Sequence, residues 1–320
     1  MEKRLLTCLI IMAMVAFSLY AEDTQAAQLP GPLATTQWLS ENMNAGDLVI
    51  LDVRSPQNYS KGHIPGAVNV PGLGNFFLNL FCKKTPWVEL PEKEALFAVI
   101  GYAGIAGDST VVVVGRTVDP MAVFAIADAA RVATTLLYAG IERVALLDGG
   151  YDKWAAEGKP TSSDPVTPVA VNFTGTENKD MFITKAYVEK NIGKSIIVDA
   201  RDSDAYFGLS QAPWEKKAGH IPSAKSLPSP WFWTFTKDEK KVPIYGAYKN
   251  IDSVKEMAYT VLGKDLSKEI IVYCGVGGYA AASYFVLTQV AGYQNVKIFD
   301  GSMQVWTADS QAQVVKYRYQ

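Results

Sequence analysis

The chain has 320 residues, 49% of them apolar and 19% charged, with a net charge of -2. That apolar share specifies packed cores rather than disorder, and at roughly 100–200 residues per domain the length suggests two domains. With no basic stripe to neutralise phosphates, the composition argues against nucleic acid as a partner.

The first element in chain order reads as an export signal over residues 1–27. Lys3 and Arg4 precede an apolar run from Leu5 to Tyr20, and small residues follow at Ala21, Ala26 and Ala27, where cleavage can occur. The run is shorter than the roughly 20 residues of a membrane span. The expectation is a periplasmic or secreted protein, free of the membrane once cleaved, with an uncleaved anchor as the alternative. Cys8 lies inside the run, so cleavage leaves Cys82 and Cys274. Two cysteines are not a disulfide framework, and a bridge between them would silence the better-placed thiol.

Residues 28–157 form the first predicted domain. VILDV, TVVVV and VALLD are apolar runs of the kind buried on both faces of a parallel sheet. The segment 120–140 reads as a helix ending at Gly140 in the C-cap manner. Residues 158–180, rich in Pro, Ser, Thr and Gly, read as a linker. Residues 181–320 form the second domain, with strand runs IIVDA, IIVYC and VKIFD and a helix over 279–292 ending at Gly292.

The two halves repeat each other. LVILDVR (48–54) matches SIIVDAR (195–201), and GHIPGAVNVP (62–71) matches GHIPSAKSLP (219–228). VVVVGR (111–116) matches IIVYCG (270–275), and YAGIERVALLDGGYDKW (138–154) matches VAGYQNVKIFDGSMQVW (290–306). Blocks recurring in one order are the mark of a duplicated domain. Alternating strands and helices make each half a doubly wound α/β sheet.

The chemistry centres on Cys274, which follows a buried strand and precedes Gly275, Val276, Gly277, Gly278, Tyr279 and Ala280. Ligands of open α/β sheets bind at the carboxyl ends of strands. Glycines let the backbone curl so that successive N–H groups make an anion-binding nest, and the following helix adds its positive end. A thiol so placed is expected to fall below its free pKa of about 8.5 and act as a nucleophile. An inert buried cysteine is the bland alternative. The only histidines, His63 and His220, both sit in GHIP motifs, and their matched positions point to structure rather than to a base for the thiol. No Cys/His cluster has metal-ligand spacing.

These motifs resemble the tandem rhodanese family, related to thiosulfate and mercaptopyruvate sulfurtransferases. The resemblance rests on LDVR, GHIPGAVNVP, LLDGGYDKW, VDAR, GHIPSAKSLP, IIVYCGVGGYA and FDGSMQVW, and spans residues 34–307. It implies two tandem rhodanese-like domains, a persulfide on Cys274, an inert first domain (Gly115 stands in the cysteine's place), no cofactor and a monomer. It also implies that the region after GHIPSAKSLP, with Trp231, Phe232, Trp233 and Phe235, lines the cleft.

The departures concern substrate. Thiosulfate enzymes of this family place Arg and Lys just after the cysteine, where this chain has Gly275 and Val276. Mercaptopyruvate enzymes bring arginines to positions best matched by Ala205 and Trp214. Lys217, with Lys216, is the candidate substitute charge, and a solvated loop lysine is the competing reading. Arg201 is matched by Arg54 and reads as structural. Phosphatases of this fold end their loop with an arginine, and Ala280 and Ala281 stand there instead. The expected function is sulfur transfer between a small-molecule donor (thiosulfate, polysulfide or mercaptopyruvate) and a thiophilic acceptor, with a periplasmic sulfane-sulfur carrier as the alternative.

Overall fold

The computed structural model describes residues 26–70, 90–118 and 122–319. The apolar run of the expected export signal, Cys8 and Cys82 lie outside the described residues.

The first half contributes β1 (Leu33–Ala34), β2 (Leu48–Asp52), β3 (Val68–Asn69), β4 (Thr110–Val114) and β5 (Val144–Leu147). They form a sheet in the order β1-β5-β4-β2-β3, every pair parallel. The second half contributes β6 (Phe182–Ile183), β7 (Ile196–Asp199), β8 (Ala224–Ser226), a hairpin of β9 (Trp233–Lys237) and β10 (Pro243–Tyr248), then β11 (Ile270–Tyr273) and β12 (Val296–Phe299). Its parallel sheet runs β6-β12-β11-β7-β8, the same order strand for strand. The chain therefore has the expected α/β fold, two parallel-sheet domains in tandem.

Strand periodicity divides the core. Val111 and Val113 of β4 point into one cluster, while Val112 and Val114 point into another on the opposite face. In β11, Ile270 and Val272 face the first cluster and Ile271 and Tyr273 face a third. The first cluster is shared by both halves. Its centre is the contact between the helices Ala122–Tyr138 and Gly278–Phe285. Ala127, Ala130 and Ala133 on one and Ala280, Ala281 and Ala282 on the other are all buried. Small side chains let the backbones approach closely enough for Thr134 Oγ1 to donate to the Ala281 carbonyl at 3.0 Å.

The helix predicted over 279–292 is α-helical only to Phe285 and continues as a π turn, Val286–Val290. Thr288 donates its hydroxyl back to the Tyr284 carbonyl at 2.9 Å, a bond that competes with the helical ladder. The linker segment is strapped to the first domain rather than loose. Val171 N donates to Gly101 O at 2.9 Å, Asn178 N to Tyr138 O at 2.8 Å, and buried Phe173 meets Phe97 edge-on. Gly101 makes this possible, since a Cβ there would collide with Val171 O.

Candidate active site

The site begins where β11 ends. Tyr273 anchors the strand, donating its hydroxyl to Asp199 Oδ2 at 2.8 Å and accepting from Ile221 N at 3.0 Å. Cys274 follows, and its amide donates to Ser302 Oγ at 3.0 Å. Gly277 has φ +95°, a left-handed conformation that favours glycine, and a Cβ there would press on Asp300 Oδ1 at 2.6 Å. This bend turns the Gly277 amide back to donate to Cys274 Sγ at 3.1 Å. The amides of Val276 and Ala280 and the hydroxyl of Ser302 also act on the sulfur. The helix Gly278–Phe285 starts at once, adding its positive end.

The nest is thus present, but the protonation expected from it is not. Burial pushes the Cys274 thiol above the ordinary thiol value, while the amides and Ser302 pull it down and only in part offset the burial. The correction has a clear physical cause: the residue is only 2% exposed, and desolvation of a thiolate outweighs a few dipoles.

Cys274, Gly275, Val276, Gly278 and Tyr279 line a cavity of about 330 Å³, so the sulfur has space beside it despite its burial. Ala205 and Trp214, the two positions matched to family arginines, also line it, and Val276 packs against Trp214. Gly277 and Ala280 do not line the cavity, and their amides act on the sulfur. Two sequence candidates lie elsewhere. Lys217 does not line the cavity; its ammonium donates to the carbonyls of Asp309, Ser310 and Ala312, closing a C-terminal turn. Trp231 is 47% exposed and absent from the cavity wall, because the short 3₁₀ turn Ser229–Phe232 sends it outward while Phe232 and Trp233 enter the core.

Both histidines are structural in geometry. His63 Nδ1 lies 3.0 Å from Tyr59 O and its ring stacks on Tyr59, and His220 repeats this on Tyr206 at 2.8 Å. Neither lines the cavity. Arg54 and Arg201 likewise each clasp the aspartate two residues before them and the carbonyl of Gly62 or Gly219.

The sequence reading missed Ser302, Arg131 and the acidic wall of Asp128, Asp202 and Glu215. Ser302 had a signal, since the repeat places Gly150 opposite it just as it places Gly115 opposite Cys274. Burial pushes Glu215 upward in pKa, and Arg201 beside it works the other way. Asp202 is raised by burial too. The first domain's counterpart loop is closed. Thr117 N and Val118 N donate to Asp152 Oδ2 at 2.5 and 2.9 Å, so a side-chain carboxylate fills the place of an anion. Gly246 of β10 covers it, donating to Thr117 Oγ1 at 3.0 Å.

Comparison with known proteins agrees with this architecture. A relative in Synechococcus elongatus, provisionally named a thiosulfate sulfurtransferase, is 30% identical over 288 residues, covering 90% of this chain and 86% of that one. The sulfur carrier protein TtuD of Thermus thermophilus is 29% identical over 293 residues, covering 87% and 94%. Among solved structures, the anaerobic ergothioneine biosynthesis enzyme of Chlorobium limicola superposes with a TM-score of 0.72 at 20% identity, covering 90% of this chain and 70% of that one, a likeness of fold. Residues 35–157 and 184–309 each match the family described as the rhodanese-like domain, and with both halves matched the chain belongs to that family in its tandem form.

Proposed function

We propose that the protein is a sulfurtransferase that carries sulfane sulfur on Cys274. The family and the names of its relatives support sulfur transfer in general terms. The observation that carries the assignment to Cys274 is the sulfur's position, beside an open cavity and facing the amides of Val276, Gly277 and Ala280.

In the first half-reaction, the Cys274 thiol loses its proton to the solvent-connected cavity and its sulfur attacks the outer sulfur of the donor. A new S–S bond forms, the donor's bond to that sulfur breaks, and the electron pair leaves with the donor remnant. The persulfide's terminal sulfur carries the negative charge in place of the thiolate, and the inward amides oppose that charge without reorganising. In the second half-reaction an acceptor attacks the outer sulfur and the electron pair returns to Cys274 Sγ. Donor candidates are polysulfide, thiosulfate and mercaptopyruvate, and the acceptor is a thiophile such as a thiol, sulfite or cyanide. The first domain supplies one wall of the cavity, through Ala127 and Asp128, and has Gly115 where the second domain has Cys274. The N-terminal sequence pattern supports an exported, periplasmic or secreted protein, and the family resemblance supports a monomer acting on small molecules.

A carrier role is the second reading. It is favoured by the likeness to a named sulfur carrier and by the lack of an uncommitted cation in the cavity wall among the described residues. Steady-state turnover decides between them. An enzyme cycles with small donor and acceptor together, whereas a carrier loads once and discharges only to a protein partner.

A further inference from the structure

The cavity beside Cys274 offers a substrate apolar surface and few polar handles. Its apolar wall is built from Ala127, Ala205, Ala212, Trp214, Val276 and Tyr279. Ala127, Val276 and Tyr279 are buried, and Trp214 packs on Val276. The Trp214 indole also crowds the reactive loop, since a Cβ built on Gly275 would lie 3.1 Å from its Nε1. The apolar surface therefore begins at the residues that directly follow the reactive sulfur.

The polar groups of the wall are spent on the protein itself. Arg201 donates from Nε and Nη2 to Asp199, from Nη2 to Gly219 O and from Nη1 to Glu215 Oε1 at 3.0 Å. The Glu215 carboxylate accepts from Arg201 and from the Ala212 amide. Gln211 Nε2 donates to the Glu215 carbonyl at 2.7 Å. Asp128 is half-buried and engaged within the protein, and Asp202 and Ser210 are exposed, at the rim. Among the described residues, the wall thus keeps no uncommitted cation to hold the carboxylate or sulfonate of a substrate. Size adds a second, independent sign. The cavity measures about 330 Å³, far more than the roughly 30 Å³ that one water-sized atom fills. Most of it is left for the body of the molecule that brings or takes the sulfur, and apolar walls favour apolar atoms there.

We propose that this cavity selects sulfur substrates with an uncharged apolar body, a small alkyl or arylalkyl thiol or its persulfide, and that Trp214 with Val276 sets the selection. The inference deepens the sulfur-transfer reading and rests on it for the word substrate. An alkyl thiol, having lost its proton to water, attacks the outer sulfur of the Cys274 persulfide. The new S–S bond forms to the alkyl thiol's sulfur, the bond to Cys274 breaks, and its electron pair returns to Cys274 Sγ. The product is an alkyl persulfide, which is the donor when the step runs in reverse. In either direction the hydrocarbon leaves water as it enters the cavity.

The test uses the size and charge of small thiol-directed reagents, and it needs no persulfide. The whole protein is treated with methyl, butyl, benzyl, aminoethyl or sulfonatoethyl methanethiosulfonate, and modification of the Cys274 peptide is followed by mass spectrometry. Each rate is divided by that of a free thiol. Butyl and benzyl should lead methyl by about tenfold or more, since each fully buried methylene is worth about fourfold. Both charged reagents should fall behind butyl. Trp214→Ala and Val276→Thr should each shrink the butyl-to-methyl ratio several-fold. Val276→Thr keeps the shape of the side chain and adds only a hydroxyl, so it keeps the test decisive if loss of Trp214 disturbs the fold. A butyl-to-methyl ratio of one or below in the wild type, a charged reagent ahead of butyl, or a ratio unchanged in the folded variants overturns the proposal. Sulfur discharge from the loaded protein should then run faster to butanethiol than to cysteamine or mercaptopropionate, and the reverse order would contradict the preference. Failure to load any sulfur would strike the sulfur-transfer reading alone, because the reagent ratio stands without it.

Discussion

Arg131 of the first domain meets Asp300 of the second in a two-pronged ion pair, Nη1 at 2.5 Å from Oδ1 and Nη2 at 3.0 Å from Oδ2. Both side chains are largely buried, at 1% and 11% exposure. Nη1 also lies 3.5 Å from the carbonyl of Gly277, the residue whose amide faces the Cys274 sulfur. The first domain thus reaches under the Cys274 loop of the other. Removing the arginine leaves a buried carboxylate uncompensated, which costs about 3–5 kcal/mol. Arg131→Met should lower the urea midpoint accordingly and slow modification of Cys274. Arg131→Lys should restore little of either, because an ammonium cannot fork across both oxygens. Wild-type stability in Arg131→Met would show that the pair does not hold the domains.

Burial sets the pH behaviour of the thiol. Because the folded Cys274 is raised, its alkylation by iodoacetamide should reach half its maximum at a pH above the free-thiol value of about 8.5. Ser302→Ala removes a hydroxyl that favours the thiolate. The midpoint should rise further and the rate at pH 7 should fall roughly threefold to tenfold, the equivalent of half to one pK unit. A midpoint below that of a free thiol would reverse the account of the site's electrostatics.

The first domain cannot be awakened by a sulfur atom alone. Gly115→Cys should gain no sulfur on donor treatment, since the Asp152 carboxylate already occupies the Thr117 and Val118 amides. Asp152→Asn should lower stability by about 1–3 kcal/mol, read from thermal unfolding, because it weakens charge-assisted bonds. Sulfur found by mass spectrometry on the introduced thiol of the single Gly115→Cys variant would refute this.

Lys217 is a structural lysine. Its ammonium closes a turn by donating to the carbonyls of Asp309, Ser310 and Ala312. Lys217→Met should lower stability by about 1 kcal/mol and leave the loading rate of Cys274 within twofold of wild type. A large loss of loading in a stable variant would return the residue to the site.

The duplicated sheet was legible because its signals are local. Val111–Val114 and Ile270–Tyr273 are apolar runs with glycine turns behind them, and four blocks repeat in register. Cys274 and its glycines were legible for the same reason. The acidic wall was not, because Asp128 joins Asp202 and Glu215 only when the helix Ala122–Tyr138 docks on the second domain. Nor was the state of the thiol, which depends on how much burial opposes how many dipoles, a balance no spacing encodes. Lys217 misled because a charge near a cleft in sequence was captured by backbone carbonyls 92 to 95 residues away. The hairpin of β9 and β10 was hidden in a stretch read only for its aromatic residues.

The most direct measurement is the intact mass of the protein and of its Cys274→Ser variant after treatment with polysulfide, followed by cyanide. The wild type should gain one sulfur atom located on the Cys274 peptide, lose it to cyanide as thiocyanate, and load again, while the variant shows no gain at residue 274. A folded wild-type protein whose Cys274 peptide never gains that atom would contradict the account.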